Sequence, residues 1–394
     1  MQTSFRLELR KFSGNRLFPI ASLAGAIMLS VPAQQALAQV TYAISPSLSV
    51  AVVHDDNIFL TAEPTISDRI TRVTPGIAAD VTVDALNVVA SYSQDAERYQ
   101  DNTQFDSNSL RRTGMFAMTY DATQRLRLGL AGSYFKTPTP GELNLGDGLI
   151  QLGRVTTTRK QLGGSAEYAF SPTLDGEFAY TATNDETEIG IGGDTHEART
   201  EFSKALNARN AVLFGYTYRL FEFDNDTEQD THTALVGWEH QLSARTMFTV
   251  MAGPRYVGDS IEPAVDASLI HEFGTGDVQL SYSRSESLLA GSTSRIETEL
   301  AGILYNQRIG NNFTFSLGPA IGETDSELGA VVKVRYFIAE ARYTFNDYFF
   351  VNASFQRSRQ SEHIAGGFRR DVPRDVGLVA LNFTWPIRRE RPQP

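Results

Sequence analysis

From about residue 46 the chain repeats one unit, a run of about ten residues in which apolar and polar side chains alternate, followed by a turn. In the stretch NNFTFSLGPAIGE the apolar side chains of Phe313, Phe315, Leu317 and Ile321 fall on one face, and small polar residues and glycines fall on the other. Successive side chains of a β-strand point to opposite faces, so this period of two predicts strands with one apolar and one polar face.

The connections between these repeats alternate between short and long. Every second connection is rich in the Asn, Asp, Gly, Pro and Ser residues of tight hairpins, at 83–85, 121–124, 171–173, 207–210, 243–245, 274–277, 310–312 and 346–347. The others are longer and mostly acidic or glycine-rich, at 55–67, 100–106, 137–153, 184–195, 223–230, 258–263, 288–294, 323–329 and 360–373. Eight short and nine long connections predict 18 strands, with 16 as the alternative.

Charge is concentrated between the strands and is sparse at mid-strand. A soluble β-sandwich usually carries more Lys and Glu on its outward face, whereas a barrel with lipid outside and water inside shows the pattern seen here. We therefore predict an all-β fold, a single transmembrane antiparallel up-and-down β-barrel over residues 39–394. Outer-membrane barrels have short periplasmic turns, so both termini are expected in the periplasm.

The first 38 residues are predicted to be a secretory signal peptide. A basic segment precedes an apolar stretch at 17–31, and Ala36-Leu37-Ala38 is typical of a signal cleavage site. The repeats after this segment contain no run of 18 apolar residues, so no transmembrane helix is predicted. The expected location is the outer membrane of a diderm bacterium.

Composition excludes several function classes. The chain has no cysteine, which excludes a disulfide scaffold, a thiol nucleophile and a cysteine zinc site. Its formal net charge of −11 does not suit a nucleic-acid partner. His54-Asp55-Asp56 and the five other histidines match no hydrolase or metal motif. We predict no catalytic residues, no metal and no cofactor; a barrel hydrolase acting on lipid or polysaccharide is retained only as an alternative.

Charged residues on the polar phase of the strands are candidates for lining a lumen. A water-filled lumen tolerates such groups, whereas a sealed core requires each one to be paired. The candidates are Arg125, Arg127, Asp175, Glu177, Arg219, Glu239, Glu297, Glu299, Glu340 and Arg342. The alternative to a channel is a non-conducting structural or adhesive barrel with internal ion pairs.

The connection at 137–153 is the longest and carries apolar residues among glycines. An outer loop gains nothing by exposing such side chains to water, so the loop is expected to fold inward as a constriction or to cover the outer rim. In the first arrangement Glu142 and Asp147 would favour cations.

Residues 53–81 carry Asp56-Asn57-Ile58-Phe59, Ser67-Asp68 and Val73-Thr74-Pro75-Gly76. This stretch resembles the opening of the family known as β-barrel porin 2. The resemblance implies an outer-membrane barrel associated with exopolysaccharide synthesis and export, and it singles out Asp56, Asn57, Phe59, Ser67, Asp68, Pro75 and Gly76.

These features together predict a porin-like outer-membrane channel for exopolysaccharide secretion or small-solute passage. The expected partners are outer-membrane lipid and lipopolysaccharide, the barrel-assembly machinery, and polysaccharide with periplasmic export components.

Overall fold

The computed structural model describes residues 40–139, 153–189, 192–224, 227–288, 295–326, 331–364 and 368–390. The signal-peptide prediction for residues 1–38 and the loop residues Glu142 and Asp147 lie outside them. No helix among the described residues is long and apolar enough to cross a membrane.

The described chain consists mainly of β-strands, joined by alternating tight turns and longer connections, with one 3₁₀ turn at Thr103–Phe105. The strands are β1 Val40–Asp55, β2 Asp68–Val83, β3 Leu86–Tyr99, β4 Ser107–Thr123, β5 Leu126–Thr137, β6 Thr157–Ser171, β7 Leu174–Thr187, β8 Gly193–Asn207, β9 Asn210–Phe223, β10 Glu228–Ser243, β11 Thr246–Val257, β12 Ser260–Phe273, β13 Gly276–Leu288, β14 Arg295–Ile309, β15 Phe313–Ser326, β16 Val331–Asn346, β17 Phe349–Ile364, β18 Phe368–Thr384 and β19 Ile387–Glu390.

Each strand from β1 to β18 pairs antiparallel with its neighbours in the chain, and β1 also pairs with β18. The closing ladder runs from Asp55↔Val376 to Ser47↔Thr384. After a break at Trp385-Pro386, β19 continues β18 along β1 in the same register, so the ring has 18 strands. The predicted closed up-and-down barrel is therefore confirmed, and both described ends lie at the end of the barrel that carries the tight turns.

Strands β1 to β18 are 12 to 17 residues long, more than the sequence pattern predicted. The expected long connection at 258–263 was wrong, because β11 and β12 are joined only by Gly258 and Asp259, with Gly258 at a φ of +54°. The expected connection at 360–373 shrinks to 365–367. The polar outer ends stay in the sheet because their charges pair between neighbouring strands, as Arg357 does with Asp375.

The barrel has an apolar exterior instead of a central apolar core. The face that carries Leu317, Ile321, Val379 and Leu381 is exposed, with Ile321 at 61% and Val379 at 54%. An aromatic row follows the same face at the tight-turn end, where the rings of Phe345, Phe349, Phe383 and Trp385 stack in sequence. Nearer the other end, Tyr180 and Tyr216 bond His196 and His232 on the adjacent strands. The predicted apolar face is thus continuous around the outside.

Candidate functional site: the barrel lumen

The strand register assigns every other residue to the lumen. In the half of the lumen next to the tight turns, carboxylates outnumber guanidinium groups. The lumen-facing acids there are Asp80, Asp121, Glu167, Asp175, Glu177, Glu201, Glu239, Asp266, Glu272, Asp277 and Glu340, and the bases are Arg125, Arg127, Arg199, Arg308 and Arg342. This half is therefore acidic, and its field favours cations.

Two cavities open in this half. One of about 420 Å³ is lined by Asp121, Arg125, Arg127, Asp175 and Glu177. There Arg127 Nε donates to Asp121 Oδ1 at 2.8 Å, and both side chains remain more than half exposed. Because these charges face open space, they act on whatever enters the lumen.

The second cavity, of about 930 Å³, lies against β12 to β18. Glu272, Asp277, Glu340 and Arg342 line it. The Arg342 guanidinium lies 3.6 Å from the centre of the Phe350 ring and forms a cation–π interaction with it. Of the candidates read from the sequence, Glu239 faces the lumen without lining either cavity.

The outer half of the lumen is built differently, because one pair of neighbouring strands separates there. The β12–β13 ladder runs from Phe273↔Gly276 to Val265↔Arg284 and stops, although both strands continue. Pro263 accounts for the stop. It lies directly opposite Pro254 on β11, and two prolines cannot exchange hydrogen bonds, so they form a non-hydrogen-bonded pair of the β11–β12 ladder. At such a position the N–H of residue 263 would point away from β11, to β13, and proline has no N–H to donate.

Beyond this point the outer ends of β13 and β14 bend into the lumen and contact its lining residues on β9, β10 and β11. We call residues 284–288 and 295–299 the inward hairpin. On β13, Glu286 and Leu288 lie on the same face as the exterior residue Leu280, yet they contact lumen-facing residues of β9, β10 and β11. Leu288 packs with Phe221 and Phe223 of β9, and Phe221 is 0% exposed.

Buried polar contacts join the two strands of the inward hairpin and hold it to the wall. Arg295 Nη1 lies 3.1 Å from Glu286 Oε2 within the hairpin, and its Nη2 lies 2.9 Å from Glu262 Oε1 of β12. Thr231 Oγ1 donates to Glu286 Oε1. Glu286 is 1% and Arg295 5% exposed at their side chains, so the low local dielectric strengthens each contact.

Arg255 lies at the fork between β12 and the inward hairpin. Its Nη2 donates to the carbonyl oxygen of Arg284 at 3.1 Å, and its Nη1 to Glu297 Oε1 at 3.4 Å. Its Nε has no hydrogen-bond partner among the described residues, although Glu286 Oε2 is 3.7 Å away. We refer to Arg219, Arg255, Glu262, Glu286, Arg295 and Glu297 as the hairpin cluster.

Three candidates from the sequence belong to this region and not to the acidic half. Arg219 faces the lumen, with its Nε 2.5 Å from Glu197 Oε2 and its Nη1 donating to the Glu286 carbonyl oxygen. Glu297 and Glu299 lie on the face of β14 that carries the exterior residue Ile303, which corrects their assignment to the lumen phase. They bond Arg284 because it lies directly opposite Glu299 on β13 and shares their face.

A second ionic cluster lies on the opposite wall, at Arg72, Glu97 and Arg111. Both described ends of the long connection attach to it. Thr139 accepts a hydrogen bond from Arg111 Nη2, and Arg154 Nη2 donates to the hydroxyl of Tyr99, whose ring it also covers. These contacts place the ends of the loop inside the outer mouth, while the inward folding of 140–152 stays a prediction.

Several of the residues singled out at 53–81 hold the outer strand ends together. Asn57 is fully buried, donates to Thr61 O and Pro373 O, and accepts from Thr61 N. Asp68 accepts backbone N–H groups of the β3–β4 connection, between residues 100 and 102. The remaining members are Asp56, which accepts from Asp375 N; Phe59, which packs on Phe105; Ser67, which precedes β2; and Pro75 and Gly76, which lie within β2.

His54 and Asp55 lie at the outer end of the β1–β18 seam, the ladder that closes the barrel. Asp55 is buried and forms a two-point ion pair with Arg374, with Nη2 to Oδ2 at 2.6 Å. Among the described residues no cluster of His, Asp and Glu could hold a metal ion. The Asp55–Arg374 pair therefore reinforces the ladder between β1 and β18 that closes the barrel.

No family model matches the chain, and no curated protein matches it. Among solved structures, OccAB4 of Acinetobacter baumannii is similar at a TM-score of 0.49 and 11% identity, over 90% of this chain and 100% of that one. OpdQ of Pseudomonas aeruginosa gives 0.49 and 12%, over 88% and 98%. A bacterial polysaccharide outer membrane secretin gives 0.38 and 10%, over 87% and 98%. These values add nothing to the closed barrel that the strand pairing already shows.

Proposed function

We propose that the chain forms a water-filled channel in the outer membrane that passes small hydrophilic solutes and prefers cations. The observation that carries this is the opposition of the two faces, an apolar exterior with aromatic rows and a lumen lined by an excess of carboxylates. Lipid outside and water inside is the arrangement that gives both faces a favourable solvent.

The hairpin cluster and the attached ends of the 137–153 connection narrow the outer end in this proposal. Solutes would enter through the remaining outer aperture and meet the acidic half before the periplasm. The non-conducting structural barrel is the second candidate, and the buried ion pairs of the hairpin cluster favour it, since a sealed lumen needs its charges paired.

Recording in planar bilayers separates these two candidates. The purified protein should conduct, and its reversal potential in a KCl gradient should show cation preference. Asp175→Asn with Glu177→Gln should weaken that preference, because these acids line a cavity. Glu323→Gln, an exterior acid paired with Lys333, is the matched control and should change nothing. Absence of conductance in correctly folded protein would favour the structural barrel.

We also propose that the solute is a saccharide connected with exopolysaccharide export. The support is the resemblance at residues 53–81, whose contacts lie at the strand seam. Neutral oligosaccharides added during recording should block the current briefly, whereas polyethylene glycol of the same mass should block it less. Equal block by both polymers would contradict the saccharide.

A further inference from the structure

A group of cations lies on the exterior of β16 and β17, outside the lumen. Lys333, Arg335, Arg357 and Arg359 all point outward, and we call them the basic patch. Lys333, Arg357 and Arg359 have side chains 57%, 55% and 44% exposed. They take no part in the proposed conduction, so their presence there requires another explanation.

The register places two of these charges side by side. Arg335 and Arg359 are directly opposite each other on neighbouring strands, where Cβ atoms are about 5 Å apart and like charges repel. Asp375 is shared, accepting from Arg359 Nη1 at 3.0 Å and from Arg357 Nη2 at 2.6 Å. Arg335 forms no ion pair with any residue that the structure describes. An anion from outside the chain would relieve this repulsion.

The height of the basic patch points to the kind of anion. Arg357 is directly opposite Phe337, and its guanidinium lies 6.0 Å from the ring centre of Phe355, which is 40% exposed. Below these rings the exterior continues as Ala339, Ala353 and Val351, and above them it is charged. The basic patch therefore marks the boundary between acyl chains and head groups.

We propose that the basic patch binds the phosphate groups of outer-leaflet lipopolysaccharide. Guanidinium groups match phosphate oxygens with paired hydrogen bonds. At the centre of the patch Arg335 lies opposite Arg359, while Arg357 and Arg359 share the single carboxylate of Asp375, which leaves a local positive excess. The chain as a whole is acidic, at −11, so a general affinity for polyanions does not account for the patch. The inference rests on the membrane placement argued above and is independent of conduction.

The test measures binding of diphosphoryl lipid A to the full-length mature protein in phosphatidylcholine nanodiscs, by native mass spectrometry. Arg335→Gln with Arg359→Gln should weaken binding about tenfold, roughly one charge-assisted hydrogen bond. The matched control, Arg209→Gln with Arg245→Gln, removes the same charge from exposed tight turns and should bind like the native protein. Dephosphorylated lipid A should bind weakly, and equally to the native protein, the patch variant and the control variant.

Three results would overturn the proposal: undiminished binding by the patch variant, an equal loss in the control variant, or an equal loss for dephosphorylated lipid A. Heat-dependent migration of the barrel on denaturing gels verifies that each variant is folded. Channel conductance of the patch variant should equal that of the native protein. The lipid-binding proposal and the channel proposal can therefore be contradicted independently, each by its own measurement.

Discussion

Pro254 and Pro263 lie directly opposite each other on β11 and β12. Because neither residue has an N–H to give, each leaves a gap in the ladder on its far side: β10–β11 pairing is interrupted between Thr233 and Val236, and β12–β13 pairing ends at Val265. The second gap leaves the outer end of β13 unpaired with β12, and this end can therefore bend into the lumen as the inward hairpin.

Pro263→Val should therefore supply the missing donor and let the β12–β13 ladder extend outward past Val265. Extension would draw the inward hairpin away from the lumen wall, and single-channel conductance should rise. Pro319→Val is the control, since Pro319 interrupts the β14–β15 ladder and leaves the fork unchanged. Equal conductance in both variants would mean that the proline does not set the position of the hairpin.

Glu286→Gln should release the inward hairpin, because Glu286 accepts a hydrogen bond from Thr231 of β10 and its Oε2 lies 3.7 Å from Nε of the buried Arg255 of β11. Removing one partner of a buried ion pair costs about 3–5 kcal/mol, and here that cost falls on the packed position of the hairpin. Trypsin should then cleave after Arg284 or Arg295, which the native protein protects. Glu323→Gln breaks an exposed pair worth about 0–1 kcal/mol and should leave the digestion pattern unchanged.

The absence of native cysteine allows the inward position to be tested by cross-linking. Phe221→Cys with Leu288→Cys should form an intramolecular disulfide or be bridged by a short bifunctional thiol reagent, because these side chains pack in one cluster. Phe221→Cys with Leu280→Cys should not, since Leu280 is an exposed exterior residue on the same strand. Cross-linking of the second pair and not the first would place β13 wholly in the outer wall.

The sequence was sufficient for the strand number, the closed barrel and the exterior face, because a period of two and alternating connections are local signals. It did not reveal how far the outer strand ends extend, since charged residues such as Arg357 and Asp375 stay in the sheet only through cross-strand pairing. The inward hairpin was missed for the same reason: Leu288 of β13 packs on Phe221 of β9, a contact between residues far apart in the chain. Pro263 within a strand was the one local signal of the break.

Ser316 and Leu317 provide the most direct test of a water-filled lumen within a lipid-exposed wall. They are adjacent on β15, with Ser316 lining the larger lumen cavity and Leu317 exposed on the exterior. In outer-membrane fragments, a charged, membrane-impermeant maleimide should label Ser316→Cys rapidly and Leu317→Cys only after detergent is added. Labelling of Leu317→Cys at the same rate in the membrane, or no labelling of Ser316→Cys, would contradict a water-filled channel.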